Sequence, residues 1–243
     1  MPEMHFDAQT ADRYDETSAE RFEPSVLEPT VDFLAAQARG GRALELGIGT
    51  GRVAIPLAAR GVPVAGIDLS PYMLERLRAK PGAAGIDAVE GDFATTRLPG
   101  SFTLAYLVFN TITNLTTQDE QVACFENVAR HLEPGGVFVM EVFVPILQKL
   151  PPGEVFRTFV HDRVRHSFDE YDVVTQVLYS HHYWHRPDGT YVVHSAPYRY
   201  VWPAELDLMA RIAGLRLVER WGDWDSSPFT AASEQHVSVW RRD

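Results

Sequence analysis

The sequence has little cysteine, no long apolar run and no cluster of basic residues. Its single cysteine, Cys124, excludes an intramolecular disulfide, and no C-x-x-C spacing offers a zinc site. No apolar run approaches the length that crosses a bilayer, and the polar, acidic N-terminus lacks the apolar centre of a signal peptide. We therefore expect a cytoplasmic protein with no membrane contact.

The charge balance is acidic, with 33 Asp and Glu against 22 Lys and Arg, a net charge of −11. Because Lys and Arg do not cluster, we expect no basic face for nucleic acid. The acidic balance favours a small or cationic partner. A chain of 243 residues, 45% of them hydrophobic, fits one α/β domain with an embellishment. These properties together favour a small-molecule substrate.

The most informative segment is a glycine-rich turn at residues 45–51, Glu-Leu-Gly-Ile-Gly-Thr-Gly. It follows a short apolar run and precedes an amphipathic stretch, which predicts the strand, turn and helix of a nucleotide-binding α/β unit. Gly51 comes one residue earlier than the third glycine of the dinucleotide fingerprint. Glu45 also places a carboxylate before the turn, which suits an amino group or a sulfonium better than a pyrophosphate. A structural turn without a ligand is the alternative.

Strands and helices alternate up to residue 145. Ser70 followed by Pro71 predicts a helix start, and Thr117 with Glu120 predicts a capping box. Pro56 predicts a late start or a small kink in the helix after the glycine turn. The predicted strands are residues 42–46, 64–68, 86–89, 102–109 and 137–144. This alternation predicts an α/β fold with a Rossmann-like, doubly wound and mostly parallel sheet.

After residue 145 the pattern changes. Residues 155–165, 171–185 and 190–201 are rich in Val, Tyr, Phe, Thr and His without helical periodicity, which predicts a small antiparallel β insertion of about three strands. Pro187-Asp188-Gly189 is a predicted hairpin turn. A helix and two closing strands then follow. We therefore expect a core of residues 1–145, an insertion of residues 146–201, and a return to the core over residues 202–243.

Further candidate residues follow the ends of successive strands. Asp68, at the end of strand two, can accept hydrogen bonds from both hydroxyls of a ribose, or can instead help Ser70 to cap a helix. Asp92 and Phe93, after strand three, can contact the amino group and the ring of an adenine. Phe109 ends strand four. Because the carboxyl ends of parallel strands meet at one edge of a sheet, one ligand can contact all of them.

The pattern E-x-G-x-G-x-G, with these acidic residues in this order, resembles the class I S-adenosylmethionine (SAM) methyltransferases over roughly residues 10–145. The resemblance implies SAM as the cofactor. It implies that the residues around the cofactor are Glu45, Gly47, Gly49 and Gly51 at the methionine part, Asp68 at the ribose, Leu69, Met73, Asp92 and Phe93 at the adenine, Tyr14 over the cofactor, and Phe109. The insertion resembles that of small-molecule methyltransferases, including amino-sugar N-methyltransferases, where it covers the substrate or builds a dimer contact.

The predicted function is methyl transfer from SAM to a nitrogen or oxygen of a small-molecule acceptor, with a homodimer through the insertion as a further expectation. A base is needed only if the acceptor loses a proton, and the candidates are His182, His194 and Glu141. His182 and His194 could also bind a metal, but no carboxylate or Cys completes the set, so we expect none. The alternatives are an NAD(P)-dependent oxidoreductase and a non-catalytic SAM-binding interaction protein.

Overall fold

The computed structural model describes residues 7–243 as α-helices packed on a central sheet, with a second sheet after it. The helices are α1 (Ala8–Thr17), α2 (Pro24–Ala38), α3 (Ala54–Ala59), α4 (Pro71–Ala79), α5 (Gln118–His131) and α6 (Pro203–Ile212). The strands of the central sheet are β1 (Ala43–Leu46), β2 (Val64–Asp68), β3 (Asp87–Glu90), β4 (Phe102–Leu107), β5 (Leu132–Phe143), β10 (Leu215–Trp221) and β11 (Gln235–Arg242). Those of the second sheet are β6 (Phe156–His161), β7 (Arg165–Asp172), β8 (Val177–His185) and β9 (Tyr191–Arg199).

The central sheet has the strand order β10-β11-β5-β4-β1-β2-β3. Neighbouring strands from β1 to β5 are parallel, and β11 is antiparallel to both β5 and β10. The predicted fold class, a doubly wound and mostly parallel sheet with an antiparallel insertion, is confirmed. The chain runs outward from β1 in one direction and then from β4 in the other. In such sheets, ligands bind at this switch point, beyond the carboxyl ends of the strands.

Two apolar layers, one on each face, hold the central sheet. On one face the rings of Phe125, Phe138 and Trp240 pack against each other with centroid distances of 5.2, 5.4 and 5.9 Å. On the other face Leu34 of α2 and Leu57 of α3 are fully buried. Each such side chain contributes about 1.5–3 kcal/mol through burial. The sheet is therefore a firm base for the loops at its edge.

The predicted local signals at the helix starts are present. The Ser70 hydroxyl accepts a hydrogen bond from the backbone N–H of Met73 at 3.3 Å, and Thr117 and Glu120 form the reciprocal capping box. Helix α3 starts late, as Pro56 predicted.

Cys124 is buried on the apolar side of α5, and burial raises the pKa of its thiol. Within residues 7–243 no helix has both the length and the apolar character needed to span a membrane.

The second sheet has four antiparallel strands in the order β6-β7-β8-β9, so the prediction of about three strands was wrong. The first two strands are joined by a tight turn whose short length hid it in the sequence. There Asp162 accepts hydrogen bonds from the backbone N–H groups of Val164 and Arg165, both at 2.7 Å. The predicted hairpin turn is present, with Gly189 at φ 84°.

Buried polar contacts attach the second sheet to the core. Arg199, at the end of β9, donates to Gln121 of α5 at 2.6 Å and pairs with Glu205 of α6 at 2.7 Å. Gln176 also donates to Glu205, at 3.0 Å. Because a buried charge left without its partner is costly, these contacts fix the second sheet relative to α5 and α6. One face of that sheet, called the inner face here, lines a cavity together with the carboxyl edge of the central sheet; Asp169, Ser180 and His182 lie on it.

Candidate cofactor and acceptor site

A cavity of about 780 Å³ lies between the carboxyl edge of the central sheet, the N-terminal helices and the inner face of the second sheet. Its wall includes six of the residues predicted from the sequence, namely Tyr14, Gly47, Gly49, Met73, Phe109 and His182. The switch point between β1 and β4 opens into it. One continuous cavity therefore connects the glycine turn with the insertion.

The glycine turn allows a ligand to approach the backbone closely. Gly47 and Gly49 have φ values of 72° and 55°, in the left-handed region that favours glycine. A Cβ atom on Gly47 would lie 2.6 Å from the Cγ2 atom of Thr111, so the turn and the segment after β4 leave no room for a side chain. The site consequently offers bare backbone at the point where a cofactor enters.

Asp68 connects the glycine turn with the start of α4. One carboxylate oxygen accepts from the N–H of Gly49 at 2.7 Å, and the other accepts from the N–H of Ser70 at 2.9 Å. Burial raises the pKa of Asp68, although these two bonds oppose the shift. Each carboxylate oxygen has a second lone pair, so the geometry leaves acceptor capacity for the hydroxyls of a ribose. Helping the helix start and binding a ribose are therefore compatible roles.

Glu45 lies behind the turn rather than on the cavity wall, with 2% of its surface exposed. The hydroxyl of Tyr106, its neighbour on β4, donates to the carboxyl at 2.9 Å. Burial raises the pKa of Glu45 to about 8, against the opposing effects of the Tyr106 hydrogen bond and the Arg52 charge. This arrangement gives Glu45 a structural partner, and its contact with a cofactor stays a prediction.

The other predicted cofactor residues also lie off the cavity wall. Gly51 is adjacent to Leu77 of α4, and a Cβ atom there would lie 2.2 Å from the Cδ1 atom of Leu77. Asp92 accepts from the N–H of Ala94 at 2.8 Å, and Phe93 belongs to the apolar core. Leu69 is half-buried. Adenine contacts by Leu69, Asp92 and Phe93 therefore stay predictions.

The turn after β4 has a strained backbone. Phe109 and Asn110 have φ values of 56° and 59°, which is uncommon for residues other than glycine. The Glu141 carboxylate accepts from the N–H of Phe109 at 2.8 Å, and the Asn110 side chain accepts from the N–H of Phe143 at 2.7 Å. Glu141 thus holds this turn, which gives it a positioning role different from the base considered in the sequence analysis.

Arg21 is a site residue that the sequence did not reveal. Its guanidinium lies 3.5 Å from the centre of the Phe109 ring, and the Arg52 guanidinium lies 5.7 Å from the same ring. Burial, and then the charge of Arg52, lowers the pKa of Arg21. Arg21 and Tyr14 both line the cavity. This end of the cavity suits a carboxylate, because two cations lie close together there.

Another part of the cavity wall is formed by the inner face of the second sheet, where Arg157, Asp169 and Ser180 line the cavity beside His182. Burial, followed by the charges of Arg165 and two neighbouring histidines, lowers the pKa of His182 to about 4. His194 is the register partner of His182, as the hairpin predicted. In the part of the chain that the structure describes, no three His, Cys, Asp or Glu side chains are placed to hold a metal.

Comparison with known proteins identifies the family. Residues 43–136 match the model of a methyltransferase domain. The chain is 30% identical to the cypemycin N-terminal methyltransferase of a Streptomyces species, over 94% of this chain and 97% of that protein. It is 39% identical to the CcbJ methyltransferase of Streptomyces caelestis, with a TM-score of 0.85 over 96% of this chain and 95% of that one.

A further structure, the SAM-bound amino pentose methyltransferase CalS10 from Micromonospora echinaspora, shows the same fold at 22% identity, with a TM-score of 0.71 over 94% of this chain and 96% of that one. The chain belongs to the class I SAM-dependent methyltransferases. Its cofactor is SAM, and its activity is SAM-dependent methylation, as the sequence predicted. The bare backbone at Gly47 and the acceptor capacity of Asp68 fit this cofactor.

Proposed function

We propose that this methyltransferase acts on the nitrogen of a small-molecule or short-peptide amine. The observation that carries the proposal is the single cavity that connects the glycine turn with an inner sheet face bearing a carboxylate, Asp169. Two similar proteins support nitrogen as the acceptor atom. One is named for methylation at the N-terminus of cypemycin and the other as an N,N-dimethyltransferase of an amino sugar nucleotide.

Bound SAM supplies a methyl group that its sulfonium already activates. In this proposal Gly47 and Gly49 accommodate its methionine part, Asp68 binds the ribose, and Tyr14 lies over it. The protein then has to align the acceptor with the methyl group and keep water out. The second sheet, held to α5 and α6 through Arg199, provides the wall that does so.

Two measurements test this function. Calorimetry with SAM, S-adenosylhomocysteine and NAD(P) separates the methyltransferase from the oxidoreductase alternative, and we expect binding of the first two ligands alone. Transfer of radiolabelled methyl from SAM is then measured on matched acceptors, glucosamine against glucose and alanyl-alanine against lactyl-alanine. We expect turnover with an amine and none with its hydroxyl counterpart. The reverse preference contradicts a nitrogen acceptor.

The homodimer expected through residues 146–201 stays a prediction. The outer face of the second sheet gives it some support, because Phe156, Tyr179 and Val193 are about half exposed there. Sedimentation equilibrium of the purified protein tests it, and a monomeric mass over the micromolar range contradicts it.

A further inference from the structure

A chain of hydrogen bonds crosses the inner face of the second sheet. The Ser167 hydroxyl lies 2.9 Å from Nδ1 of His182, and the Ser180 hydroxyl lies 3.3 Å from Nε2 of the same ring. The hydroxyls of Ser180 and Tyr171 also approach the carboxylate of Asp169 and act to lower its pKa. The chain therefore runs from Ser167 through His182 to Ser180, which lies beside Asp169.

The proton positions along this chain follow from donor and acceptor capacity. Because the pKa of His182 is lowered to about 4, its ring is neutral near pH 7 and carries a single N–H. When the Ser180 hydroxyl donates its only hydrogen to the nearby Asp169, its oxygen accepts from Nε2–H of His182. The lone pair on Nδ1 then accepts from the Ser167 hydroxyl. Both nitrogens of His182 are engaged, so this ring orients Ser180 and has no lone pair left for a substrate proton.

Asp169 is the carboxylate of this wall that is placed to meet a bound cation. It is half-buried and lines the same cavity as Gly47 and Gly49. The other carboxylate on the cavity wall, Glu234, is paired with Lys149 near the surface. Burial raises the pKa of Asp169, while the neighbouring Ser180 hydroxyl and the charge of Arg157, its register partner on β6, lower it. A desolvated carboxylate gains strongly from an ion-paired hydrogen bond with an ammonium group.

We infer that Asp169 binds the ammonium group of the acceptor and takes its proton, with Ser180 and His182 as positioning residues. This inference rests on the proposed function. The acceptor enters as R–NH3⁺ and gives one proton to Asp169. Its nitrogen lone pair then attacks the methyl carbon, and the C–S bond breaks with its electron pair on sulfur. The products are R–NH2–CH3⁺ and S-adenosylhomocysteine, and the proton passes from Asp169 to solvent.

The test uses two cofactor analogues and needs no knowledge of the acceptor. Both replace the sulfur of S-adenosylhomocysteine with nitrogen; one carries a 2-aminoethyl arm and the other a propyl arm of equal length. The ammonium of the first arm lies about where an acceptor nitrogen would. Calorimetry at pH 7.5 should show that the wild type prefers the aminoethyl analogue by about tenfold or more, since hydrogen bonds between charged groups have about this effect. Asp169→Asn should remove the preference and leave affinity for S-adenosylhomocysteine unchanged.

The control is Glu170→Gln, which removes the neighbouring carboxylate on the outer face and should keep the preference. His182→Gln should reduce the preference without changing affinity for the propyl analogue, a selective effect that general loosening of the sheet would not produce. If Asp169→Asn lacks a cooperative melting transition, Asp169→Ser takes its place. Equal affinity of the wild type for both analogues overturns the inference. So does an Asp169 variant that still prefers the aminoethyl analogue. Failure to bind S-adenosylhomocysteine instead overturns the proposed function and, with it, this inference.

Discussion

The carboxylate of Asp68 accepts a hydrogen bond from the backbone N–H of Gly49 across 2.7 Å, which connects the end of β2 with the turn after β1. The side chain that was predicted to bind the ribose thus also holds the glycine turn. A ligand on this carboxylate and the shape of the turn are consequently coupled.

Asp68→Asn should therefore affect both stability and cofactor binding. An amide has one acceptor oxygen where the carboxylate has two, so either Gly49 or Ser70 loses a partner for its buried N–H, which costs about 1–3 kcal/mol. SAM affinity should fall about tenfold or more, since the ribose loses a charged acceptor. Urea denaturation and calorimetry measure the two effects, with Asp87→Asn, at an exposed position on β3, as the control. Unchanged SAM affinity in the folded variant would contradict the ribose assignment.

The buried Glu45 carboxyl should make the free protein more stable in mild acid. Its pKa is about 8 in the folded chain, mainly because of burial, against an ordinary value of 4.5. The contribution of the protonated Glu45 carboxyl to the free energy of unfolding is therefore complete below pH 4.5 and is lost as the pH rises through 8. Between these values the loss is roughly 1.4 kcal/mol per pH unit. Glu45→Gln has no proton to lose. Its melting temperature, relative to that of the wild type, should therefore rise between pH 5 and pH 8. A constant difference between the two proteins would contradict the buried, protonated carboxyl.

The same residue should make SAM binding dependent on pH. If the positive charges of SAM approach Glu45, as the sequence predicted, they favour the ionised carboxylate, and binding at pH 7 should release up to one proton. Calorimetry in buffers of different ionisation enthalpy measures that release. Glu45→Gln should bind SAM without it. If the wild type also releases no proton, Glu45 is a structural partner of Tyr106 and has no electrostatic role in binding.

The core could be predicted from sequence because its signals are local. Gly47, the pair Ser70-Pro71 and the Thr117 capping box each act within a few residues, and the fold they predicted is present. The part of the cavity wall formed by the second sheet could not be predicted, because strand register decides which of its side chains face the cavity. Asp169 and Glu170 are adjacent carboxylates on opposite faces of β7, and a slip of one residue would exchange them. Likewise, the partner of Glu45 is Tyr106, 61 residues further along the chain.

Arg21 should bind the carboxylate of SAM. Arg21→Met keeps much of the apolar stem but removes the cation and its contact with the Phe109 ring, so SAM affinity should fall about tenfold. The affinity for 5′-methylthioadenosine should not change, because that compound has the adenosine part and lacks the amino acid. Arg13→Met, on the exposed side of α1, is the matched control. Equal losses for the two compounds would show that Arg21 supports the fold of the site and does not contact the carboxylate.

Gly51 should prove more important for packing than for cofactor contact. Its φ of 81° costs any other residue about 1–2 kcal/mol, and a Cβ atom would also press on Leu77 at 2.2 Å. Gly61 has a similar φ of 84° and open space around it, so Gly61→Ala measures the backbone cost alone. Gly51→Ala should lose a further 1–3 kcal/mol or so through overpacking between the turn and α4. Urea denaturation compares the two variants, and equal losses would contradict the packing role.

SAM affinity of folded Gly51→Ala, measured at low temperature, should fall less than that of Gly47→Ala, because Gly47 lies on the cavity wall and Gly51 does not.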